Sequence, residues 1–200
     1  MKIYTLIAGV NGVGKSSFTG VLRTQKTDLG KIIDVDRLIA QCGGNAIEGG
    51  KKALTLIDDC LEKGICFTQE TTLSGHRILS NVRQANEKGY VIRLYYIGLD
   101  TAQESIWRIR NRVRKGGHSI PEQDVRRRFE KRFENLSRIL PYCSEAEFYD
   151  NENGFREVGA YRNGDLILMG DDRPEWIQEL GRYLGSQERG DGENGSLGGR

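Results

Sequence analysis

Apolar residues along the chain alternate between short runs of strand character and stripes at helical spacing. Ile3–Ala8 is an almost unbroken apolar run with β-branched residues, the pattern of a strand buried on both faces. Phe18, Val21 and Leu22 then mark the buried side of a helix that begins at Lys15. Lys31–Val35 reads as a second strand. Leu54, Ile57 and Leu61 give a helix face between Gly50 and Lys63, and Ile65–Gln69 a third strand. Ile78, Val82 and Ala85 predict a helix that Gly89 ends as a C-cap. Tyr90–Ile97, rich in Tyr, Val and Ile, is the clearest strand of all.

Two helical segments follow. In the first, Ile106, Ile109 and Val113 recur at helical spacing up to Gly116-Gly117. Pro121 opens the second as its first helical residue, and Val125, Phe129, Phe133, Leu136 and Leu140 form one continuous stripe that Pro141 ends. Glu147–Tyr149 is a further strand, Tyr161–Met169 one or two more, and Pro174–Leu184 a last helix. This alternation predicts an α/β fold with a mostly parallel sheet between helices, a three-layer sandwich. Residues 185–200 carry six glycines and little apolar surface. They read as a disordered tail beyond a folded domain of residues 1–184.

Composition narrows the picture only locally. The chain has 200 residues, a net charge of +2 and a pI of 8.3, too mild an imbalance to argue for nucleic acid or a membrane surface. Between Glu104 and Arg132, however, ten Lys or Arg residues stand against four acids. The four cysteines (Cys42, Cys60, Cys66, Cys143) form no CxxC pair and have no histidine at metal-ligand spacing, so they read as reduced thiols of a cytoplasmic protein. The apolar N-terminus leads straight into a glycine loop and reads as a strand, not a leader; no stretch has transmembrane length.

That loop is the strongest motif. Gly9-Val10-Asn11-Gly12-Val13-Gly14-Lys15-Ser16 satisfies G-x-x-x-x-G-K-[ST] and lies where its mechanism needs it, between a buried strand and a helix. Backbone amides of the loop and the helix N-terminus point at phosphate. Lys15 reaches the β- and γ-phosphates, Ser16 ligates Mg²⁺, and Ser17 adds a contact to the α-phosphate; the cofactors expected are ATP and Mg²⁺.

The reaction has to come from elsewhere. No Asn-Lys-x-Asp segment is present, which argues against a GTPase, and Leu73-Ser74-Gly75 lies too early in the chain to be an ABC signature loop. Two acids are expected at the carboxyl ends of strands, beyond which ligands bind in open α/β sheets: Asp36 ends the second strand and Glu70 the third. One would accept a proton from an attacking hydroxyl while the other orients substrate or a Mg²⁺-bound water. The arginines at 108, 110, 112 and 114 and at 126–128 flank Lys115-Gly116-Gly117-His118. They suit a lid whose guanidinium groups neutralise a phosphoryl group in flight, with two or three of them engaged. The competing reading is a non-kinase ATPase, ABC-like or acting on nucleic acid through this block, which lacks interleaved aromatics apart from Trp107, Phe129 and Phe133, the two phenylalanines lying on the apolar stripe.

Taken together, the P-loop, Asp36, the Glu70-Thr71-Thr72 turn and the arginines around Gly116-Gly117-His118 resemble the zeta toxin family of P-loop kinases, over about Lys2 to Asn151. The likeness is to its short bacterial members, often labelled predicted ABC-type ATPases. The resemblance implies transfer of the γ-phosphate of ATP to a hydroxyl of a nucleotide sugar such as UDP-N-acetylglucosamine. It implies Asp36 as general base, Glu70 with Thr71 and Thr72 at the substrate, and His118 as a lid contact. It implies two lid arginines on the phosphates, for which Arg114 and Arg127 have suitable spacing and Arg112 and Arg128 are rivals. Tyr149-Asp150-Asn151 would lie near the nucleotide base, and an antitoxin protein is the implied partner. The chain departs from the family in its length and in Thr-Thr where Gly-Thr is commoner after the glutamate.

Overall fold

A computed structural model describes residues 1–117 and 119–194, of the last seven only the backbone. The elements run β1 (Lys2–Ala8), α1 (Lys15–Gln25), β2 (Lys31–Asp34), α2 (Val35–Gln41), α3 (Ala46–Lys63), β3 (Phe67–Thr71), α4 (Ile78–Glu87) and β4 (Tyr90–Gly98). They continue with α5 (Ala102–Arg114), α6 (Glu122–Glu130), α7 (Arg132–Ser137), β5 (Glu145–Asp150), β6 (Arg156–Arg162), β7 (Asp165–Leu168) and α8 (Glu175–Asn194). The strands form one sheet of order β2-β3-β1-β4-β5-β6-β7, parallel from β2 to β5 and antiparallel for the last two pairings. The mostly parallel α/β architecture expected from the sequence is present.

Strand periodicity sorts the core into layers. Tyr4, Leu6 and Ala8 of β1 and Ile92, Leu94 and Tyr96 of β4 face one side, packed with α3, α4, α7 and α8. Ile7, Tyr95 and Ile97 face the other, against Phe18 and Leu22 of α1. Because β1 is central and covered on both faces, the loop that leaves its carboxyl end is anchored in the most rigid part of the sheet.

Several boundaries depart from the sequence reading. Asp34, not Val35, ends β2, and α2 follows at once, capped by the Asp34 side chain, which accepts from the Arg37 amide at 3.0 Å. Asp36 therefore sits on the first turn of a helix, not on a strand. Val21 and Val113 are substantially exposed, each one step off the narrow stripe that packs. Pro121 is the N-cap of α6, one residue earlier than expected. The stripe from Val125 to Leu140 does not form one helix but α6, α7 and a 3₁₀ turn at Leu140–Tyr142. Val125 packs with α5, Phe129 with the α1-side core, and Phe133 and Leu136 with the opposite core. One straight helix cannot serve three destinations.

The second half of the sheet ends in a hairpin whose turn, Asn163-Gly164, has φ of 54° and 95°, the doubly positive geometry that matches strand twist. The α8 helix then docks through Trp176, whose ring lies so close to Gly98 that a Cβ there would come within 2.2 Å of it. Asp100 accepts from the Trp176 backbone amide and Asp150 from its indole. Backbone helix continues to Asn194, across residues 185–194 where the glycine content predicted disorder. Gln, Glu and Arg at 187–189 are good helix formers and no proline interrupts them. Residues 195–200 of the expected tail lie outside the described residues.

Candidate active site

The phosphate loop is shaped by glycines at positions no other residue could take. Gly9 has φ 143° and a Cβ there would lie 2.3 Å from the Ile97 carbonyl oxygen. Gly14, at φ 95°, brings the loop into α1. While α2, α3 and α5 are capped by the side chains of Asp34, Asn45 and Thr101, the α1 N-terminus has no side-chain cap and no acid in its first turn. Its amides are left for an anion. Lys15 is buried and folds back, donating from Nζ to the carbonyls of Gly9 at 3.0 Å and Val10 at 3.1 Å. Burial pushes its pKa down, opposed by Asp36, Glu70 and Asp34. Ser16 and Ser17 occupy the exposed first turn.

Neighbouring elements brace this loop. Ser105 of α5 donates to the Asn11 carbonyl, and Arg128 of α6 donates to Asn11 Oδ1 at 2.9 Å. Asn151 donates from Nδ2 to the Val13 carbonyl at 2.8 Å, and its own carbonyl accepts from Arg108. Asn151 thus spends its amide on the loop itself. Tyr149 and Phe155 pack on Phe18 beneath, with ring centroids 4.7 and 4.9 Å away.

Glu70, at the end of β3, is buried with both carboxylate oxygens occupied: Ser16 Oγ donates at 2.7 Å and Thr19 Oγ1 at 2.6 Å. Desolvation raises its pKa above the ordinary carboxylate range, moderated by those two hydroxyls. The resemblance assigned Glu70 to the substrate; the structure joins it to the hydroxyl expected to hold Mg²⁺. Ser16 and Glu70 are hard oxygen donors, and they suit an ion that takes one or two protein groups beside substrate phosphates. No group of three His, Cys, Asp or Glu side chains fit for a metal is present among the described residues. Thr19 was missed in the sequence, although it lies three residues after Ser16 and so on the same helical face.

Two cavities meet above this point. A cleft of about 520 Å³ is lined by Ser16, Asp34, Asp36, Arg112, Asp124 and Arg128 among others. A pocket of about 350 Å³ between α2, α3 and the loop after β3 is lined by Glu70, Thr71, Thr72, Asn81 and apolar side chains of α3, and it shares Asp34, Asp36 and Arg128 with the cleft. Thr71 and Thr72 also order that loop: Thr71 Oγ1 accepts from the Leu73 amide at 3.0 Å, and the Thr72 hydroxyl lies 2.7 Å from that of Ser74. Leu73 adopts φ 58°, an uncommon conformation for a branched residue, and is buried. Ser74 and Gly75 line the pocket, and Leu73 before them lines the neighbouring cavity.

The arginines divide sharply. Arg112 and Arg128 line the cleft, whereas Arg114 lines a separate apolar groove between α5 and α6, and Arg127 pairs with Asp124 at 2.6 Å. The pair favoured on spacing is not the pair that the fold brings to Ser16. Each residue along a helix turns the side chain by about 100°, so Arg127 and Arg128 lie about 100° apart and Arg112 and Arg114 about 160° apart, and the local pattern did not reveal which face α5 and α6 present. Arg128 also lines a third cavity of about 280 Å³ with Arg127, Lys131, Arg138 and His76. His118 lies outside the described residues. Of the aromatics within the basic block, Phe129 and Phe133 are buried under the Arg132 guanidinium and only Trp107 is exposed. All four cysteines are free, and no helix among the described residues is long and apolar enough to cross a membrane.

No protein-family model matches the chain. An uncharacterized protein of Haemophilus influenzae is 35% identical over 127 residues, covering 60% of this chain and 88% of that protein. Among solved structures, a chain of the PezAT chromosomal toxin–antitoxin system of Streptococcus pneumoniae superposes with a TM-score of 0.62 at 14% identity, over 94% of this chain and 87% of that one. AvrRxo1-ORF1:-ORF2 with ATP gives a TM-score of 0.64 at 13% identity; the match spans 90% of this chain and 64% of the other. The chain belongs to the same family as the Haemophilus influenzae protein, and it shares its fold with the PezAT and AvrRxo1-ORF1:-ORF2 structures.

Proposed function

We propose that this protein is an ATP-dependent kinase of the zeta toxin type, which transfers the γ-phosphate to a hydroxyl of a nucleotide sugar, with UDP-N-acetylglucosamine the leading candidate. One observation carries the reading: the cleft beside the P-loop and the pocket behind Glu70 join at Asp34, Asp36 and Arg128. A donor phosphate and an acceptor hydroxyl entering from opposite sides would meet there.

The chain's own groups supply the rest. Loop amides and Lys15 hold the triphosphate, and Ser16 with Glu70 would hold Mg²⁺, which neutralises phosphate oxygens when bound. Asp36 accepts the proton of the acceptor hydroxyl as its oxygen attacks the γ-phosphorus; the bond from that phosphorus to the bridging oxygen breaks and ADP departs. Asp34 already serves as the α2 cap, which leaves Asp36 for this role. Arg112 and Arg128 stabilise the charge on the transferring group. The groove of Arg127, Lys131 and Arg138 suits the anionic part of the acceptor.

Incubation with ATP·Mg²⁺ and a panel of UDP-sugars, read by mass spectrometry, tests the activity. A phosphorylated UDP-sugar is expected, and a chain that binds ATP but phosphorylates none of them overturns the acceptor assignment. By the same reading the protein is a toxin restrained by a partner protein. Its expression then arrests growth, and Lys15→Ala abolishes the arrest.

A further inference from the structure

Three residues of α4, Ile78, Val82 and Ala85, face the core at helical spacing, and Asn81 shares their face. It is 2% exposed, and its Oδ1 is buried without a hydrogen-bond partner. Buried side-chain amides are paired in the large majority of cases, so an orphan on a core stripe needs a reason. Here the stripe borders the acceptor pocket: Asn81 lines it together with Ile39, Ala53 and Ile57, in about 350 Å³ of space that Asp34, Asp36, Arg77 and Arg128 also line.

We infer that Asn81, which lines this pocket, is a specificity-determining residue for the acceptor: its buried, unpartnered side-chain oxygen turns into the pocket by rotation of the amide and receives a hydrogen bond from an uncharged O–H or N–H group of the molecule seated there. The inference rests on the kinase reading above and adds the character of the acceptor's inner end. A phosphate or carboxylate beside Asn81 would face an acceptor oxygen and apolar α3 side chains, both unfavourable to an anion, whereas Arg77 and Arg128 in the same lining offer charge a partner. A neutral hydroxyl or amide completes the Asn81 bond and rests its carbon skeleton against the isoleucines. Charge on the acceptor belongs outside, towards the arginine-lined groove that also reaches Arg128.

The test compares wild type, Asn81→Leu and Asn81→Ser with [γ-³²P]ATP, using UDP-N-acetylglucosamine, UDP-glucose and a deproteinised small-molecule cell extract as probes. Replacing the orphan amide by leucine is expected to leave the melting temperature unchanged or higher and ATP affinity unaltered. It should raise the acceptor KM by about tenfold or more, with kcat at saturation within about twofold. Asn81→Ser, which keeps a hydrogen-bonding oxygen, should fall between the two and decides the matter if the leucine variant does not fold. An unchanged acceptor KM in the folded variants overturns the Asn81 assignment and leaves the kinase reading standing. Labelling of an extract compound but of neither UDP-sugar, weakened in Asn81→Leu, keeps Asn81 and sinks the nucleotide-sugar assignment. A wild-type chain that binds ATP and labels nothing overturns both.

Discussion

The two sides of the site are built on opposite principles. On the nucleotide side, apart from the α1 amides left for the anion, several polar side chains already have a protein partner: Lys15 holds two loop carbonyls, Glu70 holds Ser16 and Thr19, and Asn11 and Asn151 are bonded from α6 and to Val13. On the acceptor side Asn81 is orphaned and the exposed wall surface is mostly apolar. A triphosphate is a fixed shape, so its cradle can be assembled in advance by the chain's own bonds. The acceptor side instead keeps its unpaired group for one ligand, which is how a pocket discriminates.

The largest effect should come where the two sides meet. Asp36→Asn keeps the shape of the cleft and removes the proton acceptor. Transfer is expected to fall by about 10²–10⁴-fold, the usual range for general-base removal, while ATP affinity changes little. Single-turnover transfer beside calorimetric ATP binding measures both; full activity in the variant would remove Asp36 from the mechanism. Arg128→Ala comes next, because Arg128 both lines all three cavities and braces Asn11. A loss of about 10²–10³-fold in kcat is expected, as for other groups that stabilise transition-state charge. Arg127→Ala should move the acceptor KM by a few-fold and leave kcat alone. Equal kcat losses in the two variants would mean that both arginines act on the phosphoryl group.

These expectations also show what the sequence could and could not disclose. The P-loop was legible in full, because its chemistry is local: spacing alone places Gly9, Gly14, Lys15 and Ser16. The central parallel strands were legible because they are buried on both faces and read as apolar runs. What was hidden depends on long-range geometry. Nothing near Glu70 in sequence shows that it reaches Ser16 and Thr19, 54 and 51 residues away. The choice of Arg112 and Arg128 over Arg114 and Arg127 depends on how α5 and α6 are turned against each other. Asn81 was overlooked because it lies within a helix whose apolar stripe explained itself.

Glu70→Gln separates charge from hydrogen bonding on the nucleotide side. Its carboxyl is held above the ordinary value of 4.5, chiefly by burial. The fold therefore favours the protonated form. The stability this gives is whole below pH 4.5 and is lost as pH rises through the higher folded value. The apo wild type should lose stability across that window relative to the glutamine variant, whose amide oxygen still accepts from one of the two hydroxyls and whose N–H group can donate to the other. With nucleotide the order reverses: Mg²⁺·ATP should bind the variant about tenfold more weakly, and ATP in EDTA no more weakly than wild type, since a negative charge near the phosphates has gone. Melting curves from pH 4 to 8, with and without ligand, measure each. Equal weakening with and without Mg²⁺ would place Glu70 on the phosphates or the acceptor instead.

Asn151→Ala should have the smallest effect and tests whether the cradle is assembled in advance. Its Nδ2 bond to the Val13 carbonyl is the link between the end of β5 and the loop, next to Gly14. A neutral hydrogen bond of this kind is worth about 0.5–1.5 kcal/mol, which corresponds to about two- to tenfold in affinity if the loop must be ordered by the nucleotide instead. The loss should appear in ATP affinity with kcat preserved, and it should be equal for ATP and GTP, because a brace that acts through the loop does not read the base. A variant that weakens ATP while sparing GTP would mean that Asn151 touches the base directly. The nucleotide side would then carry specificity of its own, and the contrast between a pre-assembled donor site and a discriminating acceptor site would fail.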